Sequence, residues 1–303
     1  MSNDTKLKDR AILVGLNISC WQGSRIDLKA SEKTVKQYDA STSAGAFTKR
    51  LFPKSERLQE ISRSAQHMRE WFRDTSLPWI DGFRVIPSER MFEVSKQFQI
   101  ARSDFHACVA EFISNYEEEK KAAQIRLGRL YNELDYPPTE KLEELFSARI
   151  SVVPIPEQSD YRTEIPEEII KDMEDRAKEA ERNALKENIR QVRETVLTAL
   201  NKLSDTDSPV FRNSLIQNIV EELQLAQIRD FGGDNEKVFS DLEKVAEKLS
   251  PDSIRASEKS KSEAVGKLSE IDKKLKELKL FESGRSSLTY THPLRPICTC
   301  LQD

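Results

Sequence analysis

Three histidines and four cysteines are the chain's soft metal ligands and its best bases and nucleophiles, and their spacing limits the chemistry open to it. His292, Cys298 and Cys300 lie near one another at the C-terminal end, and Cys20 is the cysteine that could join them as a fourth zinc ligand. A structural zinc site usually draws on a C-x₂₋₄-C pair, and Cys298-Thr299-Cys300 falls short of that spacing. No metal and no cofactor is expected. His67 and His106 each stand one residue from an apolar stripe of helical spacing, the ordinary place for a partly solvated histidine. Neither belongs to an H-E-x-x-H pattern, and no G-x-x-x-x-G-K-[ST] or G-x-G-x-x-G loop occurs. Carboxylates are too numerous, at 52, for any one pair to stand out. No nucleophile can be matched with a base, so no catalytic residue is assigned and no enzyme is expected.

Two stretches could recognise a partner instead. In Trp21-Gln22-Gly23-Ser24-Arg25, the residues Trp21, Gly23 and Arg25 could form a recognition tip at a turn. The competing and favoured reading is that Trp21 packs on helices and Gly23 supplies a positive φ. Trp79 is expected to anchor its loop in the same way. Residues 43–73 carry seven Lys/Arg against three Glu. Lys49, Arg50, Lys54, Arg57 and Arg63 could make a basic ridge that contacts nucleic-acid phosphates. Residues 133–181, with fifteen acids against six bases, could equally fold back on that ridge.

The elements that must carry these residues are chiefly helices. Charged residues make up 33% of the 303 and hydrophobic ones 37%, with only 9 glycines, a balance that favours helices with narrow apolar stripes. Residues 88–134 read as one continuous helix, roughly 70 Å long. Met91, Phe98, Phe105 and Phe112 recur every seventh residue, with Val94, Ala101 and Cys108 between them, which is an a/d seam. The stripe then steps by four to Tyr116 and runs on through Ala123, Leu127, Leu130 and Leu134. Residues 44–73 read as a second long helix broken at Pro53, and residues 31–38 as a short one capped by Ser31. Residues 140–148 read as a further short helix. Long charged helices follow from Pro166, and Leu268, Ile271, Leu275 and Leu278 form another narrow seam. Strand signals are confined to 11–20, where Ile12, Val14, Leu16 and Ile18 alternate, to 25–28, and to the proline-interrupted run 150–156. The first two should form a hairpin, and the third should pair with it.

The segment from Leu13 to Arg162 contains Ile18-Ser19-Cys20-Trp21-Gln22-Gly23, Leu77-Pro78-Trp79, Leu127-Gly128, Asp135-Tyr136-Pro137, Val153-Pro154-Ile155-Pro156 and Asp160-Tyr161-Arg162. In this order they resemble an uncharacterised family of phage and bacterial proteins built on a domain of unknown function. Its members are often encoded near MoxR-type AAA+ ATPases and proteins with a von Willebrand A domain. The resemblance implies a phage or mobile-element setting and a role beside an ATPase, and it carries over no catalytic residue.

The expected fold is mainly α: an elongated helical bundle with coiled-coil-like long helices and a small β element built from the N-terminal hairpin and residues 150–156. The expected divisions are 1–165, a charged helical region 166–282, and a flexible tail 283–303. The expected function is that of a non-enzymatic interaction or scaffold protein acting through a protein partner in the cytoplasm. Self-association through Leu268–Leu278 is a further expectation, and nucleic-acid binding by the 43–73 helix is the alternative. The apolar run at 11–16 is too short to span a bilayer, so no membrane association is expected.

Overall fold

β1 (Ala11–Cys20) is the strand around which the N-terminal half assembles. The protein is described by a computed structural model over residues 7–155, 166–204, 214–232 and 235–278. His292, Cys298, Cys300, the expected flexible tail and residues 160–162 lie outside these described residues. A short helix α1 (Leu7–Arg10) leads into β1. After it come β2 (Ser24–Ile26), α2 (Leu28–Gln37), β3 (Thr48–Arg50), α3 (Glu56–Asp74), β4 (Leu77–Pro78), β5 (Arg84–Pro87), α4 (Met91–Ser114), α5 (Tyr116–Leu127) and β6 (Phe146–Val153). The second half is helical: α6 (Glu167–Ser204), α7 (Ser214–Arg229), α8 (Glu236–Glu247), α9 (Pro251–Ala256) and α10 (Glu258–Glu277). The protein is thus mainly helical with a small antiparallel sheet. No described helix is long and apolar enough to cross a membrane.

The sheet has the order β4-β5-β1-β6. Residues 150–153 pair with β1 as expected, Leu13 opposite Val153 and Leu16 opposite Ile150, and the pairing runs on to Cys20 opposite Phe146. Alternation along β1 sorts its side chains between two cores. Val14, Leu16, Ile18 and Cys20 face α3 and α4. Ala11 and Leu13 face the other way and share a core with Leu77, Val85, Ile155, Ala184 of α6 and Phe231 after α7. Arg10 reinforces that junction through Glu181 at 3.6 Å and the Gly232 carbonyl at 3.1 Å.

The expected hairpin does not form. β2 leaves the sheet and pairs with β3 as a separate ribbon, Ser24 opposite Arg50 and Ile26 opposite Thr48. The cause lies in the turn: Trp21 stacks edge-on against Phe52 at 5.8 Å, and the Leu51 N–H donates to the Gly23 carbonyl. These contacts pull the chain off the edge of β1. Residues 44–52 are therefore not helical. The second long helix starts only at Glu56, where Ser55 Oγ accepts the Leu58 N–H at 3.2 Å. Asp27, not Ser31, caps α2, accepting the Ala30 N–H at 3.0 Å. Ser31 is buried and accepts the Phe47 N–H instead.

The continuous helix expected over 88–134 is divided at Asn115, whose backbone leaves helical geometry while its side chain donates to the Glu111 carbonyl at 2.8 Å. This is the place where the apolar stripe steps from Phe112 to Tyr116. Gly128, at φ +51°, ends α5, and Leu134 is not part of any buried stripe. Residues 139–145 form two 3₁₀ turns rather than the expected helix, because Phe146 and Ala148 are drawn into the pairing with β1. Phe98, Phe105 and Phe112 are buried against Leu58, Ile61, Ala65 and Met68 of α3 and Phe146 of β6. The helix from Pro166, expected on the same seam, contributes nothing to this core.

That helix, α6, instead belongs from Ile189 onward to a C-terminal core with α7, α8, α9 and α10. Leu268, Ile271 and Leu275 are fully buried within it. The seam expected to serve self-association is covered inside the single chain, since Val192, Val196 and Phe239 fill the space beside it. Asp272, buried on α10 next to Ile271, is held by Arg193 at 2.9 Å and by Lys276.

Candidate docking surface around a buried lysine

Lys49, one of the residues that could contact phosphate or pair with the acidic band, has a side chain only 4% exposed. β3 places it opposite Arg25 of β2, and both reach from the ribbon toward the turns that follow α5. Its ammonium donates to Asp27 Oδ2 at 3.0 Å and to the Leu130 carbonyl at 2.9 Å, and it pairs with Asp135. Two hydrogen bonds and the ion pair with Asp135 surround the ammonium. Arg25 meets Asp135 from the other side at 3.3 Å and donates to the Leu134 carbonyl, also at 3.3 Å. Burial works to lower the pKa of Lys49, but hydrogen bonds and charge from Asp135 and Asp27 outweigh it and the net shift is upward. The Ala30 N–H, with help from Lys49, holds the Asp27 carboxylate below its ordinary range.

Beneath this knot lies an aromatic cluster centred on Phe52. Its ring meets Trp21 at 5.8 Å, Phe112 at 5.4 Å, Tyr116 at 5.6 Å and Tyr136 at 5.3 Å. Tyr136 donates to the Leu51 carbonyl and Tyr116 to the Pro137 carbonyl, both at 2.9 Å. Desolvation pushes the Tyr116 phenol up to about 12. The rings fix the loop 128–137 against the start of α3, so the knot rests on a rigid floor.

Ile26, Leu28, Tyr38, Phe47, Leu130 and Leu134 lie on segments that the knot ties together, and all are exposed, Leu134 to 85%. Asp27 donates its N–H to the Phe47 carbonyl, which closes the ribbon over the start of α2. Single exposed apolar side chains are commonplace on protein surfaces.

Residues 8–224 match the family model described as Protein of unknown function (DUF3150). The chain belongs to the DUF3150 family. No curated protein and no solved structure is matched. The DUF3150 match takes in α6 and much of α7 as well as the segment carrying the resemblance.

Of the other residues singled out in this DUF3150 protein, Arg57 is engaged by Glu119 at 3.0 Å and Glu111 at 3.5 Å. Arg50, Lys54 and Arg63 are exposed, and Arg63 contacts Gln59. The five residues of the expected ridge therefore do not form one face: Lys49 is sealed and Arg57 is paired. Trp21 and Gly23 are turned into the protein. Gly23 has φ +55°, and a Cβ there would lie 2.7 Å from Leu58 Cδ2 and 3.2 Å from Phe52 Cδ2. Gly23→Ala is expected to destabilise by about 1–3 kcal/mol through left-handed strain and overpacking. A urea midpoint unchanged by the substitution would mean that the turn does not bear on Phe52.

Two open clefts run beside α6. One, of about 390 Å³, is bordered by Arg73, Asp74, Gln191, Glu222 and Arg229, and Arg229 is already engaged by Glu222 and Gln191. The other, of about 400 Å³, lies between Trp79, Ile80 and the α6 residues Arg176, Ala180 and Asn183. Among the described residues, no group of three or more His, Cys, Asp or Glu is placed to hold a metal.

Sequence reasoning missed Phe52, Asp27 and Asp135. Asp27 had a signal, being a good N-cap directly before a helical segment. Asp135 had none, because its partner Lys49 lies far away along the chain.

Proposed function

We propose that this DUF3150 protein is an interaction or scaffold protein that works by binding a protein partner. The observation that supports it is the set of exposed apolar side chains, Ile26, Leu28, Phe47, Leu130 and Leu134, on the segments tied together by Lys49, Asp27 and Asp135. Exposed apolar side chains carried on a hydrogen-bonded and aromatic base suit recognition of a partner. In this reading α6, with 38 residues and about 57 Å of helix, joins the half that bears these segments to the C-terminal helices as a long strut. Coiled-coil-like packing of α6 against α10, an elongated overall form, a phage or mobile-element origin and action in the host cytoplasm belong to the same proposal. The family resemblance makes a MoxR-type AAA+ ATPase the first partner to try.

The test is affinity isolation of the tagged full-length protein from cells that encode it naturally, with and without nuclease. A protein recovered in near-equal amount after nuclease, and lost from the Leu134→Glu variant, is the expected result. Recovery of nucleic acid alone, with no protein left after nuclease, would overturn the reading in favour of the basic-ridge alternative.

A further inference from the structure

The two edges of the four-stranded sheet are built differently. On one side β4 is two residues long, Leu77–Pro78, and its proline has no N–H to offer. On the other side β6 runs for eight residues, Phe146–Val153. Its register with β1 is unbroken from Phe146 opposite Cys20 to Val153 opposite Leu13, so no bulge turns it away. No proline or glycine interrupts it, and Arg149 is its one charged residue. Natural sheets usually blunt a free edge by shortness, charge, proline, a bulge or a covering element. β4 has two of these guards. From Arg149 to Val153, β6 has the single arginine. Val152 is 43% exposed and Val153 37%, and among the described residues the backbone of this stretch hydrogen-bonds to β1 alone.

We propose that this edge pairs with the same edge of a second copy of the chain, antiparallel about a two-fold axis. A row of backbone donors and acceptors is complemented by another extended strand. Two features select a second copy over a foreign strand. Recognition of a foreign strand takes its specificity from pockets for alternate side chains. The two clefts beside α6 are not bordered by β6, and Ser147 and Ser151, which flank Arg149 on its face of the strand, are small. The second feature is the alternation of β6. Ala148, Ile150 and Val152 share the face toward α4, and Ser147, Arg149 and Ser151 share the other. A two-fold axis through the pairing sets each residue opposite one from the same face, so apolar meets apolar and polar meets polar. With the axis at Ser151, Ile150 of one copy lies across from Val152 of the other, a favourable β-branched pair. Arg149 then lies across from Val153, clear of the second arginine. The two sheets become one, with the guarded β4 at both ends, so assembly stops at two chains. The proposal stands apart from the partner reading above, which concerns the segments around Lys49.

The experiment is analytical ultracentrifugation of the full-length protein over a concentration series, with hydrogen–deuterium exchange measured at the lowest and highest concentrations. The mass is expected to rise from one chain to two and no further. The amides of residues 149–153 should exchange more slowly in the concentrated sample, while those of α7 do not change. Val152→Lys puts a charge on the rim, as guarded edges do. It is expected to weaken the dimer at least about tenfold, a difference of about 1.4 kcal/mol. Val153→Lys, on the opposite face, gives the same reading if the first variant does not fold. Ile125→Lys, at an exposed position of α5, should leave the dimer intact. Circular dichroism establishes that each variant is folded. A single chain at every concentration overturns the proposal. So does a dimer whose 149–153 amides exchange as fast as in the monomer, a mass that climbs past two chains, or folded lysine variants at 152 and 153 that pair as tightly as the parent.

Discussion

Phe105→Ala is expected to lower the melting temperature by on the order of 10 °C. Phe105 is fully buried at the centre of the contact between α3 and α4, with Phe98 and Phe112 one heptad to either side. Truncating a buried phenylalanine typically costs about 3–5 kcal/mol, and roughly 2–4 °C accompanies each kcal/mol in a protein of this size class. The loss has a particular location. The core around Phe105 draws on α3, α4, β1 and β6, whereas Val192, Ile219, Phe239 and Leu268 belong to a separate core. Calorimetry should therefore show the early part of the unfolding endotherm moving most, with the C-terminal helices melting near their original temperature. A shift below about 1 °C, less than the effect of a surface substitution of 0.5 kcal/mol, would mean that α3 and α4 do not pack through this residue.

The second large effect is expected at Lys49. Lys49→Met keeps the length of the side chain and removes its charge, leaving the carboxylate of Asp135, itself 9% exposed, with only Arg25 beside it and Asp27 without its cation. Breaking one side of a buried pair costs about 3–5 kcal/mol, because the remaining charge is stranded. The double variant Lys49→Met/Asp135→Leu should recover part of that loss, which a purely steric defect at position 49 would not allow. Equilibrium urea unfolding of the two single variants and the double variant measures the coupling. Additive losses would show that the two side chains do not act as a pair. The knot also has a signed pH dependence. The lowered pKa of Asp27 gives stability that is present above 3.8 and lost as the pH falls through its folded-state value. The raised pKa of Lys49 gives stability that is present below 10.5 and lost as the pH rises through its folded-state value. The ribbon of β2 and β3 should therefore detach from the loop 128–137 at both extremes.

What could be read in the sequence was what depends on short-range spacing. The heptad run of Phe98, Phe105 and Phe112 identified a buried helix face, and the alternation of Val14, Leu16 and Ile18 identified a strand. The run at 150–153 was correctly expected to pair with that strand. What escaped was what depends on distant partners. Ala11 and Leu13 face a different core from their neighbours, because Ala184 and Phe231 arrive from the far half of the chain. Lys49 carries the same side chain as the exposed lysines of α2, and only the carboxylates of Asp27 and Asp135 decide that it is interior. The hairpin expectation failed for a related reason. A turn signal at Gln22-Gly23 specifies that the chain reverses, and the packing of Trp21 on Phe52 decides where it goes.

The shared core at the second face of β1 has a consequence for cutting the gene. A fragment ending near residue 165 would keep the sheet and the long α4 helix, and by composition it would pass for an independent unit. It would also lose Ala184 and Phe231, baring Ala11, Leu13, Leu77 and Val85 together on the outer face of the sheet, next to the unpaired rim of β6. Naked apolar strands beside an open rim are the usual recipe for intermolecular sheet growth. Such a fragment should precipitate where the full chain stays dispersed, and the two halves should be inherited and shuffled by recombination as one piece.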